Sequence, residues 1–433
     1  VSLTWRDGIF IAAVIVGMLS LMGGVRYFAG RYNIGPETQR KLVHVATGTA
    51  ALFFPLLFSN ALPVFLLIGA AVILMLALRS PMLASVGGVL HEVKRESWGE
   101  IYLALAIAFT FFRGLGEPIL YVLPLLVITL SDTASALVGT EYGKRRFAVE
   151  DGSKSFEGVA AFFVVTWLVA LVTLLLLTDA PRLNVVVLSF LVAAFCALVE
   201  ADSWRGLDNL FVPIGAHLLL QQYLASSSAE LVVVAVGFLL FLGLMLLVAE
   251  ALHLPQRAAR GYAILLFLMI SLMAPHNAAL TALVIVGQVW ARARRPGTSQ
   301  RPELDLLAVA AVVALFWLIA GELAGRSVLA LFNLTFAAVA LGFAALATRG
   351  WWRLVLLPLG AAIAGLFTWI SALNTPWHPP WFDADWPWLV AALAVPAGLA
   401  MLRPEWFTTR RSAKLFAVAM LVPLVFYFRG MFL

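Results

Sequence analysis

Three stretches of this chain gather side chains suited to holding a phosphate and a metal ion. The longest, SDTASALVGTEYGKRRFAVEDGSKSFEG (131–158), follows the apolar run YVLPLLVITLS and places Asp132 at its start. A carboxylate inside a membrane helix costs about 2.5–3.5 kcal/mol on insertion scales, so it lines a cavity, binds a cation or pairs with a base. Ala136, Gly139 and Gly143 recur at intervals of three and four residues. A helix-packing seam of small residues accounts for the glycines but not for the aspartate. After Gly143 comes KRR, and Ser153 or Ser155 is suited to cap the next helix, with Lys154 and Glu157 in its first turn. Free N–H groups and a lysine at a helix start make an anion site suited to phosphate. Lys144, Arg145 and Arg146 taken alone read as a solvated basic loop, which is the better reading for at least one of them.

The second stretch, ETQRKLVHVATG (37–48), puts Arg40 and Lys41 at the mouth of an apolar run, with His44 one turn after Arg40. Basic residues there are ordinary interfacial anchors, but a histidine within a span faces protein or water. In the third, CALVEADSWRGLDNLFVPIG (196–215), Glu200 closes one apolar run and Asp208 and Asn209 open the next. Helix capping accounts for one of these residues, at about 1 kcal/mol. It does not account for Glu200, Asp202, Asp208 and Asn209 at one membrane surface. Carboxylates and an amide beside a phosphate cradle suit Mg²⁺ or Mn²⁺ shared with a nucleotide. Two weaker clusters are HEVKRESWGE (91–100), with Glu92, Lys94 and Arg95, and NTPWHPPWFDADWPW (374–388), an aromatic belt with His378, Asp383 and Asp385.

These clusters must be positioned by membrane helices. Of 433 residues, 63% are hydrophobic, and apolar runs of spanning length recur. Alternating ten-residue segments of a barrel are absent, so the expected fold is all-α, a polytopic transmembrane helical bundle. About 16 candidate spans can be drawn: 8–28, 41–58, 61–78, 100–112, 117–139, 156–177, 185–200, 210–225, 230–250, 261–274, 276–291, 304–321, 327–347, 353–372, 388–402 and 415–428. Some are short enough to be half-helices. With a non-cytoplasmic N-terminus and one crossing per span, 24 of the 29 Lys and Arg fall on one side, leaving Arg6, Arg113, Arg182, Arg326 and Arg429 on the other. That asymmetry predicts a cytoplasmic basic face. All the clusters except 374–388 lie on it. The net charge of +6 then reflects topology and anionic lipid neighbours rather than nucleic acid.

Polar residues inside or beside spans are concentrated before about residue 225. The chain is therefore read as a core, 1–225, and a further helical region, 226–433, with RARRPGTSQRPELD (292–305) the clearest linker. Cys196 is the single cysteine, which excludes an internal disulfide. The first span lacks a small-residue cleavage site and is expected to be retained. Neither GxxxxGK[ST] nor GxGxxG nor HExxH occurs. Transport of a lipid-linked anion also fits many spans with polar residues, but transporters place their polar groups near the midplane and carry repeats, and none is visible. A homodimer is left open.

In order and spacing, RKLVHVATG, SDTASALVGTEYGKRR…DGSKSFEG and ALVEADSWRGLDNLFVP resemble the polyprenol kinases, the CTP-dependent phytol and dolichol kinases, over about residues 36–225. The central piece is also similar to the phosphatidate cytidylyltransferases. Their late Lys-Arg…Lys-Asp…His-Gly-Gly signature is missing here, which favours a kinase over a lipid cytidylyltransferase. The resemblance implies transfer of the γ-phosphate of CTP to an isoprenoid alcohol (phytol, farnesol, geranylgeraniol or a dolichol) at the cytoplasmic face of a bacterial-type inner membrane. It implies roles for Arg40, Lys41 and His44 from the first motif. From the second it implies Asp132, Gly139, Gly143, Lys144, Lys154, Ser155, Glu157 and Gly158, and from the third Glu200, Asp208 and Asn209. Asp132, His44, Lys154 and Glu157 are the expected catalytic group, with Asp132, Glu200 and Asp208 holding the metal. The remaining residues are expected to bind the nucleotide. Thr140 and Glu141 stand where the family pattern has a basic residue, so the charge around the phosphates is expected to differ.

Overall fold

A computed structural model describes residues 3–78, 98–149, 152–251, 254–375 and 386–432. Most of the 91–100 cluster, with Glu92, Lys94 and Arg95, and His378, Asp383 and Asp385 lie outside them. The described chain is almost entirely helical and forms two compact units, Val1–Phe241 and Leu242–Leu433.

The first unit contains α1 (Trp5–Tyr32), α2 (Pro36–Leu52), α3 (Ala61–Leu78), α4 (Gly99–Arg113) and α5 (Ile119–Leu126). The π-helical segment Val127–Ser131 joins α5 to α6 (Asp132–Glu141). A hairpin follows, β1 (Arg146–Val149) and β2 (Gly152–Ser155), with Arg146 opposite Ser155. Then come α7 (Phe156–Leu177), α8 (Arg182–Asp202), α9 (Asp208–Tyr223) and the start of α10 (Ser228–Ala251). The second unit holds the rest of α10, α11 (Gln256–Leu272), α12 (Ala278–Arg294), α13 (Pro302–Ala324), α14 (Leu329–Ala347), α15 (Leu356–Asn374), α16 (Trp386–Leu402), α17 (Arg411–Ala419) and α18 (Leu421–Phe432). Among the described residues, nine helical stretches are long and apolar enough to cross a membrane, and two shorter apolar helices accompany them.

Several expected spans are interrupted, with clear physical causes. The run expected to span 41–58 leaves α-geometry after Leu52, because Pro55 cannot donate to the Ala51 carbonyl. Tyr121 Oη donates to that carbonyl at 2.6 Å. Pro124 inside α5 likewise deprives the Leu120 carbonyl of its helical donor, and His217 Nδ1 meets it at 2.7 Å. A carbonyl only accepts, so Nδ1 carries the proton. Both oxygens lie in protein interior, where an unmet polar group is costly.

α14 is the buried centre of the second unit. At its start Asn333 donates to Asn277 Oδ1 at 2.7 Å, and Asn374 donates to the same oxygen at 2.8 Å. His276 Nε2 meets Asn374 Oδ1 at 2.8 Å, so three helices are joined by amides within an otherwise apolar packing.

Replacing Tyr121 by Phe removes the Ala51 carbonyl's side-chain donor without opening a cavity. The expected loss is about 1–3 kcal/mol of stability, read as a lowered melting temperature of the detergent-purified protein. An unchanged melting temperature would show that this carbonyl needs no partner.

Candidate functional site: an acid-base cavity at the helix ends

The first unit encloses a cavity of about 270 Å³ where α2, α6, the hairpin, α7, α8 and α9 meet. Each wall follows from a local rule. The wide π-turn before Asp132 exposes the Ile128 carbonyl, to which His44 Nε2 approaches at 3.2 Å. Such turns recur at functional sites. α2 can approach because residue 48 is glycine; a Cβ there would overlap Thr129 Oγ1. On the other wall Ser155 caps α7, accepting from the Gly158 N–H at 3.0 Å. Gly139, Gly143 and Gly158 let α6 close on that cap: a Cβ on Gly158 would stand 2.9 Å from the Ser135 carbonyl.

Asp132, Glu200 and Asp208 each offer an oxygen, all within 4.8 Å of one another. Asp132 and Glu200 are buried. Lys41 Nζ lies 2.5 Å from Asp132 Oδ2, and His44 Nε2 lies 3.5 Å from the same oxygen. Lys154 Nζ lies 2.8 Å from Glu200 Oε1 and also donates to the Glu200 backbone carbonyl. Burial opposes the Lys154 charge, but the Glu200 and Asp208 carboxylates more than offset it and hold the ammonium above the ordinary lysine value. The second Glu200 oxygen is buried without a donor, as is Asn209 Oδ1. Three carboxylates and an amide oxygen, two of these atoms without donors, fit a hard divalent cation such as Mg²⁺ or Mn²⁺.

The expected residues divide into two groups. Arg40, Lys41, Asp132, Gly139, Lys154, Ser155, Gly158, Glu200, Asp208 and Asn209 all line the cavity. His44 stands behind Asp132. Gly143 packs against Ser155. Glu157 turns to the hairpin, where its carboxylate accepts from the Arg145 N–H at 3.2 and 3.3 Å. Lys144 is exposed and is not among the lining residues.

Thr140, Arg146 and Ser153 line the cavity as well, and so do Ser135, Trp204 and Arg205, which their sequence context did not single out. Arg146 donates to the Gly139 carbonyl at 3.2 Å and reaches Ser153 Oγ at 3.5 Å. A cation thus stands beside Thr140, where the family pattern placed a base in the chain itself. The Arg205–Gly206 turn has positive φ at both residues, 53° and 81°. It reverses the chain between α8 and α9, so that Glu200 and Asp208 face one another. Gly206 adopts this conformation freely, whereas Arg205 does so at a cost.

This chain is 32% identical over 213 residues to a phytol kinase of Synechocystis sp. (strain ATCC 27184 / PCC 6803 / Kazusa), an alignment covering 48% of this chain and 88% of that protein. The chain belongs to the phytol kinase family. No family model and no solved structure matches it. The phytol kinase relationship spans about half of the chain, and residues beyond the aligned segment are additional to it.

Gly143→Ala places a Cβ onto the Gly139 carbonyl and 2.8 Å from Ser155 Cβ. We expect it to displace the hairpin, with faster tryptic cleavage after Lys144 and Arg145 and a stability loss of about 1–3 kcal/mol. Limited proteolysis followed by mass spectrometry reads the first effect. A cleavage rate equal to that of the parent chain would mean that the small-residue contact does not hold the hairpin.

Proposed function

We propose that this protein transfers the γ-phosphate of CTP to the hydroxyl of an isoprenoid alcohol, at the cytoplasmic end of its membrane helices. The observation that carries this reading is the convergence of Asp132, Glu200 and Asp208 with Lys41, Lys154 and Arg146 around one cavity. The kinship with a phytol kinase supports the same reaction class. The basic face is then cytoplasmic and the N-terminus opposite, with the alcohol's chain held among the apolar helices.

Phosphoryl transfer requires charge neutralisation and in-line positioning more than covalent participation by the protein. Asp132, Glu200 and Asp208, with Asn209 Oδ1, would hold Mg²⁺ or Mn²⁺, which supplies charge neutralisation at the phosphate oxygens. Lys154, Arg146 and Arg40, with the capped start of α7 at Ser155, bind the triphosphate. Asp132 accepts the proton of the alcohol as its oxygen bonds to the γ-phosphorus. The bond from that phosphorus to the bridging oxygen breaks, and CDP leaves. His44 acts as a positioning residue: its Nε2 meets a backbone carbonyl, which only accepts, so that nitrogen carries a proton and fixes Asp132 from behind.

Asp132→Asn should lower phosphate transfer by about a hundred- to a thousandfold while the protein remains folded and inserted. The assay uses purified protein, phytol, farnesol or a longer polyprenol, and radiolabelled CTP or ATP. Labelled lipid monophosphate should appear with CTP. Undiminished turnover in the variant would remove Asp132 from the mechanism, and labelled CDP-lipid would make the enzyme a cytidylyltransferase.

Arg146→Gln tests the hairpin cation separately. Losing a charge-assisted hydrogen bond to phosphate should raise the KM for CTP about tenfold, corresponding to ~1.4 kcal/mol, with a smaller change in kcat. A KM for CTP that does not move would exclude Arg146 from nucleotide binding.

A further inference from the structure

Two of the three carboxylates already have a cation. Lys41 is paired with Asp132 at 2.5 Å and Lys154 with Glu200 at 2.8 Å. Both acids are largely enclosed, with side chains 9% and 6% exposed, and the lysines only 15% and 23%. Because the three carboxylates lie within 4.8 Å of one another, a divalent ion among them would sit close to both ammonium groups. Two ammonium groups already serve these carboxylates, and Arg40, Arg146 and Arg205 stand on the same cavity wall. A metal ion entering alone would add to that positive charge and would compete with each lysine for its partner. A nucleoside triphosphate reverses that balance, since its oxygens offer both lysines an alternative acceptor.

We propose that Lys41 and Lys154 are exchangeable counter-ions, so that metal and nucleotide enter together and the lysines pass from carboxylate to phosphate as they do. The inference rests on the kinase reading for the nucleotide's identity, but its physical content lies in the two ion pairs. The exchange needs little rearrangement. Both lysines line the cavity beside their acids, and a lysine reorients its charge on a flexible four-carbon stem. The second Glu200 oxygen and Asn209 Oδ1 lack donors, so part of the metal's coordination shell is available before either lysine moves. When the nucleotide diphosphate departs, the lysines return to their carboxylates and the metal's hold weakens with it.

The test is a Mn²⁺ titration of the detergent-purified full chain, following the free-ion paramagnetic resonance signal with and without CTP and in the absence of any alcohol. Wild type should bind Mn²⁺ about tenfold or more weakly without CTP than with it, a coupling within the usual range for linked ligands. Lys41→Met and Lys154→Met should each bind Mn²⁺ alone about tenfold more tightly than wild type, and CTP more weakly. Adding Asp132→Asn to Lys41→Met should cancel the gain, which locates the ion at this cluster. Lys41→Gln and Lys154→Gln repeat the comparison where a methionine variant does not purify as a folded protein. Equal Mn²⁺ affinity with and without CTP in wild type overturns the proposal, as do lysine variants that bind Mn²⁺ alone no better than wild type. The kinase reading fails separately. Tighter Mn²⁺ binding in the variants with no phosphate transfer by wild type would sink the kinase and leave the exchange standing; active wild type with lysine-independent Mn²⁺ binding would do the reverse.

Discussion

Everything at this site depends on the confinement of three carboxylates within 4.8 Å at the end of an apolar helix bundle. Isolated, such charges would not stay ionised there. The fold tolerates them because Lys41 and Lys154 are delivered from two other elements, one from the start of α2 and one from the hairpin. Removing one partner of a buried ion pair typically costs roughly 3–5 kcal/mol, because the other charge is stranded. The positions of α2 and the hairpin are therefore fixed partly by packing and partly by the need to offset this cluster's charge. The hairpin belongs to the site as much as the helices do: Glu157 and Ser155 secure its end while Lys154 and Arg146 reach inward.

Three departures from regular helix lie around the same cavity. The π-turn at Val127–Ser131, the positive-φ turn at Arg205–Gly206 and the hairpin border it. Backbone that leaves helical geometry within a membrane protein must be buried in protein or line a cavity. Farther along α5 and α2, the prolines that break the hydrogen-bond ladder are answered by Tyr121 and His217. The bundle thus satisfies its freed carbonyls with side chains in the interior, whereas at the cavity Glu200 and Asn209 keep oxygens without donors.

Much of this arrangement was legible in the sequence, for a physical reason. Asp132, Glu200 and Asp208 are costly in or beside apolar helices, so their presence at helix ends on one expected face already implied a shared partner. Capping chemistry narrowed the start of α7 to Ser153 or Ser155, and it is Ser155 that accepts from the Gly158 N–H. Side-chain direction was not legible. In the run KRR, charge alone cannot choose among Lys144, Arg145 and Arg146; the strand that begins at Arg146 does, pairing it with Ser155 and sending its guanidinium to Gly139. The same hairpin draws Glu157 away from the cavity to its own backbone. Hydropathy found the apolar stretches but not their interruptions at Pro55 and at the π-turn, because those depend on which neighbour supplies the missing hydrogen bond.

Arg146 puts positive charge beside Thr140, where the resemblance to the family leads one to expect a base. Under the proposed function a triphosphate would meet positive charge at a place in space, which the chain can supply from any element that reaches that place. Thr140 returns its own hydroxyl to the Ala136 carbonyl at 2.5 Å, while Arg146 crosses from the hairpin to the carbonyl of the preceding Gly139 at 3.2 Å. A guanidinium held by that carbonyl and by Ser153 presents its remaining N–H groups in a fixed plane, which suits phosphate oxygens better than a freely rotating ammonium. The cation is carried by a strand rather than a helix end, and its strand pairs with Ser155, the residue that caps α7. Its placement therefore depends on Gly139 and on Gly143 just past the end of α6, because any side chain at Gly143 would push the hairpin away from Gly139. In this chain the small residues and the charge form one device, in which close packing of helix and hairpin sets where the positive charge stands.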